Sequence, residues 1–146
     1  MAPRSLLHLF AAIAAAAVLQ AETDPDAVLW MMAADHAIAD LPAMHRALDI
    51  AAAAARAGYF VTFGMRPTAP ETGYGYIEVG ADLPSHAGAH AIARFLEKPD
   101  LATAERFVAG GKHLWNSGMF VFTAGGLPRE FETHCPDVLP PVRAAV

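Results

Sequence analysis

Four short runs in this sequence carry residue types suited to holding phosphates and polyols. Asp35-His36 follows a compact apolar run. It is either a loop whose acid caps a helix or a carboxylate placed for Mg²⁺, which prefers hard oxygen ligands and keeps most of its water. Pro70-Glu71-Thr72-Gly73-Tyr74-Gly75-Tyr76 is either a glycine-rich turn or a ligand loop. In the second case Gly73 and Gly75 let backbone amides approach closely, and Glu71 accepts hydrogen bonds from hydroxyls. Glu97-Lys98-Pro99-Asp100 is either an exposed charged turn or a site in which Glu97 accepts from sugar hydroxyls, Lys98 sets a point charge on a phosphate and Pro99 fixes the loop. Trp115-Asn116-Ser117-Gly118-Met119-Phe120 is either a turn ahead of a strand or a polyol contact through the Asn116 amide, which both donates and accepts.

Neighbouring elements must hold these runs in place. A helix is expected from about Leu9 to Ala21, ending before the turn residues Glu22-Thr23-Asp24-Pro25-Asp26. Val28 to Met32 suits a strand buried on both faces of a parallel sheet, with Asp35 and His36 at its carboxyl end, where open α/β sheets bind ligands. A second helix spans Leu41 to Ala57, with Asp40 as N-cap, Pro42 in the first turn and Gly58 as its stop. Tyr59 to Phe63 is the next strand, ended by Gly64, which completes a βαβ unit. Further strands are expected at Ile92 to Leu96 and Met119 to Thr123, and helices at Leu101 to Val108 and Leu127 to Thr133. The pattern predicts an α/β fold with a mostly parallel central sheet.

Composition narrows the function. Hydrophobic residues make up 55% of the 146 positions, but 33 of them are alanines, so the larger apolar residues suffice for one modest core and one domain. A net charge of −5 leaves no electrostatic footprint for nucleic acid or an anionic membrane, so any phosphate must meet a few local cations. Cys135 is the single cysteine, which excludes an intrachain disulfide and a thiolate metal cluster and fits a reducing cytoplasm. Met1 to Ala21 has the outline of a secretory signal, with Arg4, an apolar run interrupted by His8, and Leu19-Gln20-Ala21 as a cleavage site. The alanine-rich stretch from Ala11 to Leu19 reads equally as an amphipathic helix inside the fold. No segment has the 18 or more strongly apolar residues of a membrane span.

The order and spacing of the four runs, together with Val61-Thr62-Phe63-Gly64, resemble the sugar-1-phosphate nucleotidyltransferases. The resemblance is to the mannose-1-phosphate guanylyltransferases of the bacterial type often fused to a phosphomannose isomerase domain. It covers most of residues 11 to 138 and is most specific at Pro70 to Ile77 and Trp115 to Phe120. It implies a Rossmann-like α/β domain that joins GTP to mannose 1-phosphate, releasing pyrophosphate and GDP-mannose with Mg²⁺. In such chemistry the sugar phosphate attacks the α-phosphorus in line with the departing pyrophosphate, so the protein positions charges and needs no covalent nucleophile. Carried over by position, Asp35 is a metal ligand and, with Lys98, a catalytic residue; Glu71, Gly75, Glu97 and Asn116 hold the sugar, and Lys98 meets its phosphate.

The match also departs from the family. Residues 1 to 10 do not resemble its N-terminal segment, the glycine-rich triphosphate loop with its arginine and lysine is not found in the sequence, and Ala33 stands where the family usually has proline. The resemblance therefore implies that residues 11 to 146 form a partial domain, without the triphosphate-binding start and the C-terminal part. Little guanylyltransferase activity is expected from this chain alone. Self-association is expected through an exposed sheet edge bearing Val28, Leu29 and Met32. A reading from a different class is a non-catalytic module that binds sugar phosphate or another subunit.

Overall fold

A computed structural model describes residues 4–146, with side-chain surroundings from residue 11 onward. The elements run α1 (Arg4–Thr23), β1 (Val28–Met31), α2 (Leu41–Arg56), β2 (Val61–Met65), β3 (Gly75–Asp82) and β4 (His90–Glu97). They continue with α3 (Leu101–Gly110), β5 (His113–Thr123), α4 (Gly126–His134) and α5 (Leu139–Arg143). The last strand to form in sequence is the centre of the sheet. One edge of β5 pairs with β1, from Val28↔Thr123 to Met31↔Phe120, and further along with β3, from Tyr76↔Trp115 to Glu78↔His113. Its other edge pairs with β2, from Val61↔Val121 to Met65↔Trp115, and β4 lies beyond β3.

Each of these pairings is antiparallel, which corrects the expected mostly parallel sheet. Two causes account for it. The short connection between β3 and β4 makes a hairpin, whereas a parallel crossover needs a dozen residues or more. The βαβ unit exists, with β1 and β2 both antiparallel to β5 and so parallel to each other, but β5 lies between them. A continuous apolar run signals burial on both faces and says nothing of strand direction. At Val121 and Phe122 of β5 that burial is nearly complete, and the two side chains face opposite helix layers.

The layers follow from small side chains. Ile13 and Ala17 of α1 pack with Phe122 and Leu127 on one face of the sheet, while Ala14 and Val18 meet Leu139 and Val142 of α5. The alanine-rich stretch with the outline of a secretory signal is thus part of the core. On the other face Ala51 and Ala55 of α2 lie against Val121, with Trp30, Val61 and Phe63 around them. The α2 boundaries are those expected: Asp40 Oδ1 accepts from the Ala43 N–H at 2.9 Å, Pro42 sits in the first turn, and Gly58 leaves the helix at φ +94°. Gly64 does not end β2. It gives room instead, because a Cβ there would lie 2.5 Å from Leu114 Cδ1 on the neighbouring strand. Among the described residues no helix is long and apolar enough to cross a membrane.

β1 pairs with β5 alone among the described residues, so its outer edge is open as the sequence placed it, but little apolar surface is uncovered there. Val28 and Leu29 are half-buried beneath the helices, and of the expected edge residues Met32 is the exposed one. The larger exposure is on β4, at Ile92, Phe95 and Leu96, and around β2, at Phe60 and Met65. Both strands pair along one edge only among the described residues, which leaves backbone donors and acceptors beside these side chains. The chain is therefore expected to self-associate. Sedimentation velocity is expected to show a coefficient that rises with concentration, shifted toward the monomer by Ile92→Lys; a monomer at all concentrations would contradict this.

Candidate functional site

The two strands that share one edge of β5 do not meet. β1 leaves it at Met31, opposite Phe120, and β3 joins it at Tyr76, opposite Trp115, so Asn116 to Met119 lie at a break in that edge. The topology brings the four candidate runs to this break. The turn that carries Asp35 closes at the end of β1 with a 3.3 Å hydrogen bond from the His36 N–H to the Ala33 carbonyl. The Glu71 loop leads into β3, Asn116 is on β5 itself, and Gly75 stands directly opposite Glu97. Asp35 is exposed on its turn and, among the described residues, takes no part in the hydrogen bonds and ion pairs that fix the other three runs.

Gly75, Glu97 and Lys98 form the closest group. Gly75 is buried, and a Cβ on it would lie 2.6 Å from Glu97 Oε2 and 2.8 Å from Phe95 Cζ. Its role is thus to let the Glu97 carboxylate lie over the β3 backbone. Lys98 Nζ is 3.9 Å from Glu97 Oε1, and both side chains are exposed, so the pair is loose and contributes little stability. The Lys98 backbone is more constrained: φ is +47°, a left-handed conformation that costs a non-glycine residue about 1–3 kcal/mol. Three contacts hold it there. Its N–H donates to the Tyr74 carbonyl at 3.1 Å, Pro99 is buried next to it, and Asp100 caps α3 by accepting from the Thr103 N–H at 2.7 Å.

The Glu71 loop is fixed from within. Tyr76 Oη donates to the Glu71 carbonyl at 2.9 Å, and the Tyr74 ring meets Trp115 edge-on at 5.1 Å. The Glu71 side chain stays exposed. Asn116 opens a bulge in β5: Thr62 faces Phe120 and Gly64 faces Asn116, so the residues between Asn116 and Phe120 outnumber those opposite them. Gly118 turns the bulge at φ +72°, and Ser117 Oγ accepts from the Met119 N–H at 3.2 Å. This stretch was expected to precede the strand; it lies inside one, because β5 begins at His113. Sequence reasoning also passed over Thr62, whose hydroxyl lies 2.8 Å from both Asn116 Oδ1 and the Met119 carbonyl oxygen. The available signal was one hydroxyl between Val61 and Phe63 in an otherwise apolar strand.

The donor set for a metal is a single carboxylate. Among the described residues no three His, Cys, Asp or Glu side chains cluster. An exposed carboxylate does fit Mg²⁺, which is commonly held by one or two carboxylates plus water and substrate phosphates. An apolar hollow lies elsewhere, between α2, β2 and the β3–β4 hairpin, and none of the six candidate residues lines it.

Residues 6–143 match a family model described as nucleotidyl transferase. The xanthan biosynthesis protein XanB of Xanthomonas campestris pv. campestris (strain B100) is 48% identical over 127 residues, which are 87% of this chain and 26% of that protein. A mannose-1-phosphate guanylyltransferase of Klebsiella pneumoniae is 44% identical over 136 residues, covering 92% of this chain and 29% of that protein. The chain thus spans about a quarter of the length of these curated relatives. In fold it is similar to the crystal structure of mannose-1-phosphate geranyltransferase from Thermus thermophilus, with a TM-score of 0.79 and 32% identity over 92% of this chain and 39% of that one. It is also similar to mannose-6-phosphate isomerase from Helicobacter pylori, with a TM-score of 0.77 and 36% identity over 91% of this chain and 48% of that one.

Two outcomes follow from the site geometry. Gly118→Ala is expected to lower stability by about 1–2 kcal/mol in chemical denaturation, because its left-handed φ opposes a Cβ; an unchanged midpoint would mean the bulge does not need that φ. The Asp100 carboxyl is held below its ordinary range by the Thr103 side chain first and the Thr103 N–H second. A carboxylate lowered in the folded state stabilises it at neutral pH, and that contribution is lost as pH falls through the lowered value. The Tm advantage of wild type over Asp100→Ala is therefore expected to shrink below the ordinary carboxylate range; a gap that stays constant to pH 2 would contradict the cap.

Proposed function

The chain belongs to the nucleotidyl transferase family, and from that premise we propose that it carries the sugar-phosphate side of a site making GDP-mannose and pyrophosphate from GTP and mannose 1-phosphate. The observation that supports this reading best is the arrangement of Gly75, Glu97 and Lys98 beside the break that exposes Asn116. A carboxylate and a carboxamide suit the hydroxyls of a hexose, and an exposed, loosely paired ammonium at the strand end suits its phosphate. The relatives named mannose-1-phosphate guanylyltransferase support the choice of sugar and nucleotide.

In this reading Glu71, Glu97 and Asn116 hold the sugar hydroxyls, and Lys98 Nζ neutralises the phosphate whose oxygen attacks the α-phosphorus of GTP. A new P–O bond forms as the bond to pyrophosphate breaks on the opposite side, and the chain's contribution is orientation and charge. Mg²⁺ bound through Asp35 would add positive charge against the phosphates, with water and phosphate oxygens filling the rest of its shell. A glycine-rich loop to cradle the β and γ phosphates has no counterpart among residues 1–146, so binding of the sugar phosphate is expected to exceed turnover in this chain.

Isothermal titration with mannose 1-phosphate tests this. Lys98→Met and Asn116→Ala are each expected to weaken binding about tenfold, as loss of a charge-assisted or ligand hydrogen bond does. Wild type that fails to bind, or variants that bind as well as wild type, would overturn the reading. Pyrophosphate release from GTP, mannose 1-phosphate and Mg²⁺ is expected to be slow, and rapid turnover would refute the imbalance between binding and catalysis.

A further inference from the structure

Thr62 joins two parts of the bulge that no other single side chain reaches among the described hydrogen bonds. Its hydroxyl donates one proton that is shared between Asn116 Oδ1 and the Met119 carbonyl oxygen, each 2.8 Å away, on the residues that begin and end the extra stretch of β5. The Gly118 N–H also points to Asn116 Oδ1, but at 3.4 Å that bond is weak. Thr62 is half-buried between Val61 and Phe63, where valine would fill the same volume and suit a strand as well. A hydroxyl in that position is stabilising only through the bonds it makes.

We propose that Thr62 is a positioning residue, whose hydroxyl clamps the β5 bulge and fixes the plane of the Asn116 amide so that one end of it is left for a sugar hydroxyl. The amide end nearer Thr62 is occupied from the β2 side. Among the described hydrogen bonds the Asn116 amide nitrogen takes no partner, and β5 has no paired neighbour between Phe120 and Trp115 on the edge away from β2. An asparagine with two free torsions would otherwise lose rotamer freedom on binding; the clamp removes that cost beforehand. This inference rests on the reading of Asn116 as a sugar contact.

A double-mutant cycle with mannose 1-phosphate tests it, using Thr62→Val, Thr62→Ser, Asn116→Ala and the Val/Ala double variant. Thr62→Val is expected to weaken binding roughly fivefold, the usual weight of one hydrogen bond, while Thr62→Ser restores it to within about twofold. In the Asn116→Ala background Thr62→Val is expected to add nothing, because the clamp has lost what it positions. A second readout needs no ligand: the Asn116 side-chain amide pair in a ¹⁵N spectrum is expected to keep its chemical shifts in Thr62→Ser and to move toward those of a solvent-exposed asparagine amide in Thr62→Val. Unchanged binding in Thr62→Val alongside weakened Asn116→Ala would overturn the inference, as would losses that simply add, since those mark a general structural effect. A wild-type chain that does not bind the sugar phosphate defeats the reading of Asn116 instead, and an amide pair indifferent to Thr62→Val would then refute the clamp as well.

Discussion

The structure depends on β5 having partners on both edges and both faces while one of those edges is interrupted. Val121 and Phe122 point to opposite helix layers and are almost fully buried, so this strand ties α2 on one side to α1 and α4 on the other. Two shorter strands divide one edge between them, and neither reaches Asn116 to Met119. Buried backbone donors and acceptors must find partners, and here the ladder supplies none on that edge. The chain answers with a bulge whose polar groups are met locally, by Ser117 Oγ, by the Asn116 side chain and by Thr62 from the opposite edge. The same interruption that costs the sheet its regularity leaves Asn116 to Met119 without a paired neighbour on that edge, between the end of β1 and the start of β3.

A second constraint acts at the end of β4. The chain must pass from Glu97 into α3 within three residues, and it does so by driving Lys98 into a left-handed conformation. That strain is tolerated because the residues on either side are fixed: Gly75 admits Glu97 close to the backbone, and Asp100 secures the first turn of α3. Strain held by well-fixed neighbours is a common feature of ligand sites, since it presents a side chain the chain would not otherwise offer. The ammonium and the carboxylate leave the strand end together, close enough to interact.

Local signals were legible in the sequence and nonlocal ones were not. Asp40, Pro42 and Gly58 gave both ends of α2, because capping and left-handed exit are decided within a turn of the helix. The chemistry of the four runs was legible by residue type, since a carboxylate, an ammonium and an amide offer the same groups wherever they lie. Strand direction was not, because an apolar run such as Val28 to Met31 reads alike in any strand buried on both faces. The first half of β5 was missed because asparagine, serine and glycine signal a turn, whereas here they build a bulge inside a paired strand. Asp100 was seen as part of a charged turn although the threonine three residues on marked it as a cap. Thr62 offered only a lone hydroxyl in an apolar strand, too little to give it a role until its partner, 54 positions away, was known.

The exposed apolar surface and the polar site are not independent. Phe95 and Glu97 alternate with Leu96 along β4 and so share one face of the strand, and both approach the position a Gly75 Cβ would occupy. Phe95 is half exposed, and the Glu97–Lys98 pair beside it is open to solvent. Water around that pair screens its attraction and its hold on any ligand charge. A surface lying over Phe95 would displace the water and lower the local dielectric, and the same two charges at the same 3.9 Å separation would then interact several times more strongly. In the proposed reading, any surface covering the outer face of the β3–β4 hairpin would strengthen the contacts of Glu97 and Lys98 through solvent exclusion, without any change in the residues that make them.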